Sequence, residues 1–201
     1  MADKVKLAVN WAAACGGCDV AILDLELKVL ELSDLADFVF WPVAMDFKRD
    51  QLKALPSGSV DVGIFNGAIR TSEQEEDARV MRDKCKVLVA MGACACFGGI
   101  PGLGNVSDNE VMLRTAFKDT ASTDNPDDLR PQPRHELGSG RELTLPALEP
   151  RVRPLHQVVD VDLFLPGCPP TEERLLQLVE AVKALASGAP PPPAGTFLAS
   201  D

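Results

Sequence analysis

The chain has 201 residues, 46% of them hydrophobic, which is enough to bury one substantial core and favours a single main domain. Its 30 Asp and Glu against 20 Lys and Arg leave a net charge of −10, a field that repels phosphate backbones and anionic headgroups, so neither nucleic acid nor a membrane surface is expected as a partner. No apolar stretch approaches the ~18 residues of a spanning helix, and the opening residues run straight into a strand without a secretory signal or twin-Arg pair, so the expected compartment is the cytoplasm.

Residues 5–10 read as a first strand, and residues 20–32 carry apolar positions at helical spacing with charges between them. A second strand is predicted over 38–43, a weak helical piece over 47–55, and a third strand over 60–65. Thr71 with Gln74 forms a capping box for a helix running to about residue 84. Residues 86–91 are nearly uninterrupted in their apolar character, which suits a strand covered on both faces. Ser107 with Glu110 predicts another capping box before a helix over 111–117. Periodicity then stops from 119 to 159, a stretch holding six prolines and both histidines. It is too long for an ordinary loop and is expected to cross the surface as an interface element or a mobile one. Residues 161–165 restore a strand, Thr171 caps a last helix to about residue 186, and Pro190 to Pro193 open a stiff, linker-like tail. The organisation expected is one domain over 1–187, with the excursion at 119–159, and a Pro-rich tail over 188–201. Five strands alternating with four or five helices predict an α/β fold, a flavodoxin-like doubly wound parallel sheet.

The six cysteines decide what such a sheet carries. In a reducing compartment they read as metal ligands, redox groups or small core residues rather than a disulfide framework. Cys15-Gly16-Gly17-Cys18 follows the first strand, Gly92-Ala93-Cys94-Ala95-Cys96 the fourth, and Pro166-Gly167-Cys168-Pro169-Pro170 the fifth. All three loops leave the carboxyl ends of strands, which lie on one edge of an open parallel sheet, where ligands bind at the switch in strand order. A four-cysteine site is therefore expected there, suited to an iron–sulfur cluster or to tetrahedral zinc. Zinc commonly takes two CxxC pairs; one CxxC, one Cys-x-Cys and one lone cysteine favour iron–sulfur. Cys85, at the far end of the fourth strand, reads as a packing residue. His135 and His156 lie in the irregular excursion and are assigned no metal, and the Gly99 to Gly104 run lacks the strand–turn–helix setting of a phosphate loop.

Together with Asp24 and the run Phe97-Gly98-Gly99-Ile100-Pro101-Gly102, these cysteine motifs resemble the small subunit of NiFe hydrogenases, over nearly the whole chain. The similarity is greatest to the methyl-viologen-reducing, heterodisulfide-reductase-linked type, and the 20 kDa subunit of complex I belongs to the same superfamily. The resemblance implies a proximal 4Fe-4S cluster held by Cys15, Cys18, Cys94 and Cys168, with Cys96 beside it. It further implies an electron-relay role next to a NiFe large subunit that splits hydrogen. Onward partners would be iron–sulfur or flavin subunits, including heterodisulfide-reductase-like ones. Glu73 matches an acidic position near the cluster, but is equally a first-turn glutamate favoured by the helix dipole. Asn66 stands where many such subunits carry Glu, and the sequence stops before their second cysteine-rich part. The rivals are a complex I-type quinone-reductase subunit, whose first loop has adjacent cysteines, and a zinc- or flavin-binding interaction module.

Overall fold

The structure, a computed structural model, describes residues 4–198. The chain opens with β1 (Val5–Trp11), α1 (Gly17–Leu23), α2 (Leu27–Leu35), β2 (Ala36–Phe40) and α3 (Arg49–Lys53). It continues through β3 (Val60–Asn66), β4 (Ile69–Thr71), α4 (Ser72–Lys84), β5 (Cys85–Met91), α5 (Gly92–Phe97) and α6 (Asn109–Arg114). The hairpin strands β6 (Arg134–Glu136) and β7 (Glu142–Thr144) precede β8 (Leu148–Arg153), β9 (Leu163–Leu165), α7 (Glu172–Ala186) and β10 (Thr196–Phe197).

Six strands form one parallel sheet in the order β10-β9-β5-β3-β1-β2. Without β10 this is the flavodoxin order, which reverses direction at β1 and β3 and leaves a crevice beyond their carboxyl ends. The register aligns those ends: Trp11 pairs with Asn66, Asn66 with Met91, and Met91 with Leu165. The chain leaving each of Trp11, Met91 and Leu165 leads into one of the cysteine motifs.

The near-continuous apolar strands are explained by burial on both faces. Leu7, Val9, Val62, Ile64, Val87 and Val89 pack on one face against Ile22, Leu32, Leu175 and Leu178 from α1, α2 and α7. Ala8, Phe65, Leu88 and Ala90 pack on the other against Leu52, Ala78, Met81 and Ala95 from α3, α4 and α5.

Several expectations are met in detail. The Thr71 capping box is present, with Gln74 N–H donating to Thr71 Oγ1 at 3.3 Å and Thr71 N–H to Gln74 Oε1 at 3.1 Å. Others are corrected. The apolar pattern over 20–32 belongs to two helices, broken where Glu26 takes φ 51°. The second strand starts and stops earlier than expected, because Pro42 cannot continue a ladder and residues 42–44 turn away. The cap of α6 is Asp108, whose Oδ1 accepts from Val111 N–H at 2.8 Å, rather than Ser107. The excursion is not wholly irregular: β8 pairs antiparallel with β4, joining Ile69 to Arg153 and Thr71 to Leu148. The linker-like tail leads back to the sheet. There Thr196 pairs with Leu163, and the Phe197 ring stacks between Phe164 and Phe97, at centroid distances of 4.8 and 6.4 Å.

Candidate functional site

The parallel sheet delivers Cys15, Cys18, Cys94 and Cys168 to its carboxyl edge. Gly16, at φ 84°, turns the chain after β1 into α1, so that Cys15 and Cys18 flank the turn. Cys94 lies on α5, which starts immediately after β5, and Cys168 follows β9 before a cis Cys168–Pro169 peptide. The Ala93 N–H donates to the Gly167 carbonyl at 2.6 Å, tying α5 to the Cys168 loop.

Cys18 and Cys94 feel the other thiols. Burial, followed by the neighbouring Cys94, Asp19, Cys15 and Cys168, pushes the Cys18 thiol up to about 12. Burial also raises Cys94, against a hydrogen bond from the Ile100 N–H, and Cys168 and Cys15 raise it further. Four mutually repelling thiolates at one edge are a poor arrangement without a cation and a suitable one with it, since a metal deprotonates its thiol ligands outright. Among the described residues, no group of three or more His, Cys, Asp and Glu is placed to hold a metal ion. Four sulfurs at one edge match the ligand number of an iron–sulfur cluster and of tetrahedral zinc alike.

The backbone is shaped to these sulfurs. A Cβ on Gly92, whose φ is 83°, would lie 2.4 Å from Cys18 Sγ, and one on Gly99 would lie 2.8 Å from Cys94 Sγ. Bare backbone is thus required where sulfur sits. Amide N–H groups also reach sulfur, from Gly17 to Cys15 Sγ at 3.4 Å and from Ile100 to Cys94.

Cys94 and Cys96 diverge because they share a short helix. Two residues advance about 200° around it, so Cys96 turns into the core, where it is fully buried and sits 3.3 Å from the Ala90 carbonyl. Burial pushes its thiol up to about 12. Cys85 begins β5 at the opposite sheet edge and packs where Gly63 leaves room; burial pushes it, too, up to about 12. Glu73 ion-pairs with Arg49, which also reaches Glu76 and Asp77, so its described contacts join α3 to α4. His135 lies on exposed β6, and His156 meets the Phe164 ring edge-on at 5.8 Å.

Sequence reasoning missed a buried polar network beside Cys18. Asp19 is completely buried; its Oδ1 accepts from Trp41 Nε1–H at 2.8 Å and its Oδ2 from Asn66 Nδ2–H at 2.9 Å. Burial raises the Asp19 carboxyl, and these two donors oppose the rise. The available signal was an acidic residue directly after a cysteine at the start of an apolar helix, where the core face is due. Around the thiols the edge is apolar and open: Trp11 is 49% exposed, Phe97 60%, Ile100 68% and Leu103 64%.

Residues 15–182 match the family described as the NADH ubiquinone oxidoreductase 20 Kd subunit. The chain is 42% identical over 179 residues to the iron-sulfur subunit of the F420-non-reducing hydrogenase of Archaeoglobus profundus, covering 89% of this chain and 56% of that one. It is 37% identical to the corresponding F420-non-reducing hydrogenase subunit of Methanothermobacter thermautotrophicus, covering 94% of this chain and 55% of that one. The chain therefore spans little more than half the length of these curated relatives. A solved structure of a NAD+-reducing [NiFe]-hydrogenase in the H2-reduced state superposes with a TM-score of 0.76 at 30% identity, over 94% of both chains.

Proposed function

Since the chain belongs to the NADH ubiquinone oxidoreductase 20 kDa subunit family, whose hydrogenase members it most resembles among the relatives above, we propose that it is the electron-transfer small subunit of a cytoplasmic NiFe hydrogenase. In this reading Cys15, Cys18, Cys94 and Cys168 hold a proximal 4Fe-4S cluster, which supplies reversible one-electron transfer when bound. The observation that carries the reading is the convergence of thiols more than 150 residues apart in sequence on one edge of the sheet. The protein's own contribution is to hold four sulfurs in fixed places, to present N–H groups from Gly17 and Ile100 to them, and to crowd the edge with Trp11 and Phe97. Hydrogen is split elsewhere, at the NiFe centre of a large subunit, and electrons pass on to further iron–sulfur or flavin subunits, heterodisulfide-reductase-like ones among them. The cluster domain includes β10, to which the Pro-rich stretch after α7 returns the chain. Among the described residues no helix is long and apolar enough to cross a membrane.

A complex I-type quinone-reductase role is the alternative within the family. The two glycines between Cys15 and Cys18, where that subunit carries adjacent cysteines, favour the hydrogenase. A zinc- or flavin-binding module is the alternative outside it. Anaerobic purification with iron, sulfide, nickel and flavin analysis, and mass spectrometry of whatever accompanies the chain, distinguishes these. The expected result is a brown chain with about four irons beside a nickel-containing subunit. Single Ser substitutions of Cys15, Cys18, Cys94 or Cys168 should lose the iron. A stable, cluster-loaded monomer without a nickel-bearing companion would defeat the hydrogenase reading, and a zinc-loaded one the cluster as well.

A further inference from the structure

We propose that Asp19, clamped between Trp41 and Asn66, is a positioning residue that fixes Cys18 and sets the cluster potential through a buried negative charge. The proposal rests on the cluster reading above. Two strand ends and a helix start meet in this clamp. Asp19 follows Cys18 in the first turn of α1, Trp41 follows β2, and Asn66 ends β3. Asp19 and Asn66 are completely buried and Trp41 is 1% exposed, so no solvent competes for their hydrogen bonds. Both carboxylate oxygens accept, at 2.8 Å from the indole N–H and 2.9 Å from the amide N–H, so each oxygen meets a donor. A core position next to a cluster could be filled by Leu at lower desolvation cost. Retention of a charge there therefore calls for something the charge does.

Two consequences follow. The clamp anchors the α1 turn that bears Cys18 to β3, whose last residue also binds the preceding loop, because the Ala12 N–H donates to the Asn66 carbonyl at 2.8 Å. And a negative charge in a low-dielectric site disfavours adding an electron to a group beside it, so the potential is held down. Asn66 also makes the test feasible. Its Oδ1 is buried without a hydrogen-bond partner. In Asp19→Asn, half a turn of the Asn66 amide would present Oδ1 to the new Asn Nδ2–H while the other oxygen still accepts from Trp41, removing charge at nearly constant shape.

The experiment is an anaerobic redox titration of the full chain with its co-purifying subunits, following the reduced cluster by EPR, preceded by iron and sulfide analysis. Asp19→Asn should keep its iron and raise the midpoint potential. Trp41→Phe deletes one of the two donors while leaving the carboxyl in place, and should also shift the potential. A purely packing role would weaken both variants and leave their potentials at the wild-type value. Iron-replete Asp19→Asn at the wild-type potential overturns the proposal. If that variant loses its iron, Trp41→Phe decides: a shifted potential supports the electrostatic role and an unchanged one overturns it. A wild-type chain without iron would instead sink the cluster reading, and this inference with it.

Discussion

Gly92→Ala is the sharpest test of the site's geometry, because it adds one methyl group and no new chemistry. Its Cβ would stand 2.4 Å from Cys18 Sγ at φ 83°. The left-handed backbone alone costs a residue with a Cβ about 1–2 kcal/mol, a sum that a domain stable by roughly 5–15 kcal/mol survives. The contact is the larger matter. Ordinary packing needs about 3.5 Å, so sulfur and methyl must separate by about 1 Å, whereas metal–ligand distances tolerate roughly 0.2 Å. The expected outcome is a folded chain that has lost most of its iron. Gly58→Ala is the control, since Gly58 has φ 65° and a Cβ added there would meet nothing within 4 Å. It should show the backbone cost in its thermal midpoint and keep a full complement of iron. The assay is iron and sulfide per chain after anaerobic purification, with far-UV circular dichroism for the fold. Gly92→Ala with wild-type iron would refute the placement of Cys18 against this backbone.

Cys85→Ser and Cys96→Ser should both keep their iron, at some loss of stability from burying a hydroxyl; iron loss from Cys96→Ser with retention in Cys94→Ser would reverse the roles of those two residues. Asp162→Ala should destabilise the fold by about 1–2 kcal/mol in urea, because Asp162 Oδ2 accepts from both Leu88 N–H, at 2.7 Å, and Arg82, at 2.6 Å; an unmoved urea midpoint would refute this. Burial raises the Asp61 carboxyl, but the Lys6 N–H and the Lys86 ammonium outweigh it and hold Asp61 below its ordinary value. The stabilisation is therefore complete above the unfolded value of about 3.9 and is lost as pH falls through the lower folded one. Asp61→Asn should lower the urea midpoint at neutral pH, and the gap to wild type should close in acid; a gap that stays constant with pH would show that Asp61 acts by shape alone.

The central strands were legible because burial on both faces leaves a plain trace, as in residues 86–91, and because the Thr71–Gln74 box is a local event complete within four residues. Local signals failed where a neighbour made the decision. Nothing near Glu26 in sequence marks the break between α1 and α2. The β8 strand exists through its pairing with β4 some eighty residues earlier, and β10 through a phenylalanine stack that joins three separate elements.

The site divides along the same line. Cysteines flanked by glycine and proline are a compositional signal, and the alternation of strands and helices is enough to bring them to one edge. Choosing between Cys94 and Cys96 needs more, namely that the residues after β5 coil immediately instead of looping. On a loop the two thiols could both face outward, but on α5 they lie about 200° apart, and only one can turn away from the core. The Asp19 clamp was out of reach for a further reason. Its partners come from the ends of two other strands, and an aspartate at a helix start is ordinarily a solvated, dipole-favoured residue. Only the packing of Trp41 and Asn66 over it converts that ordinary residue into a buried charge.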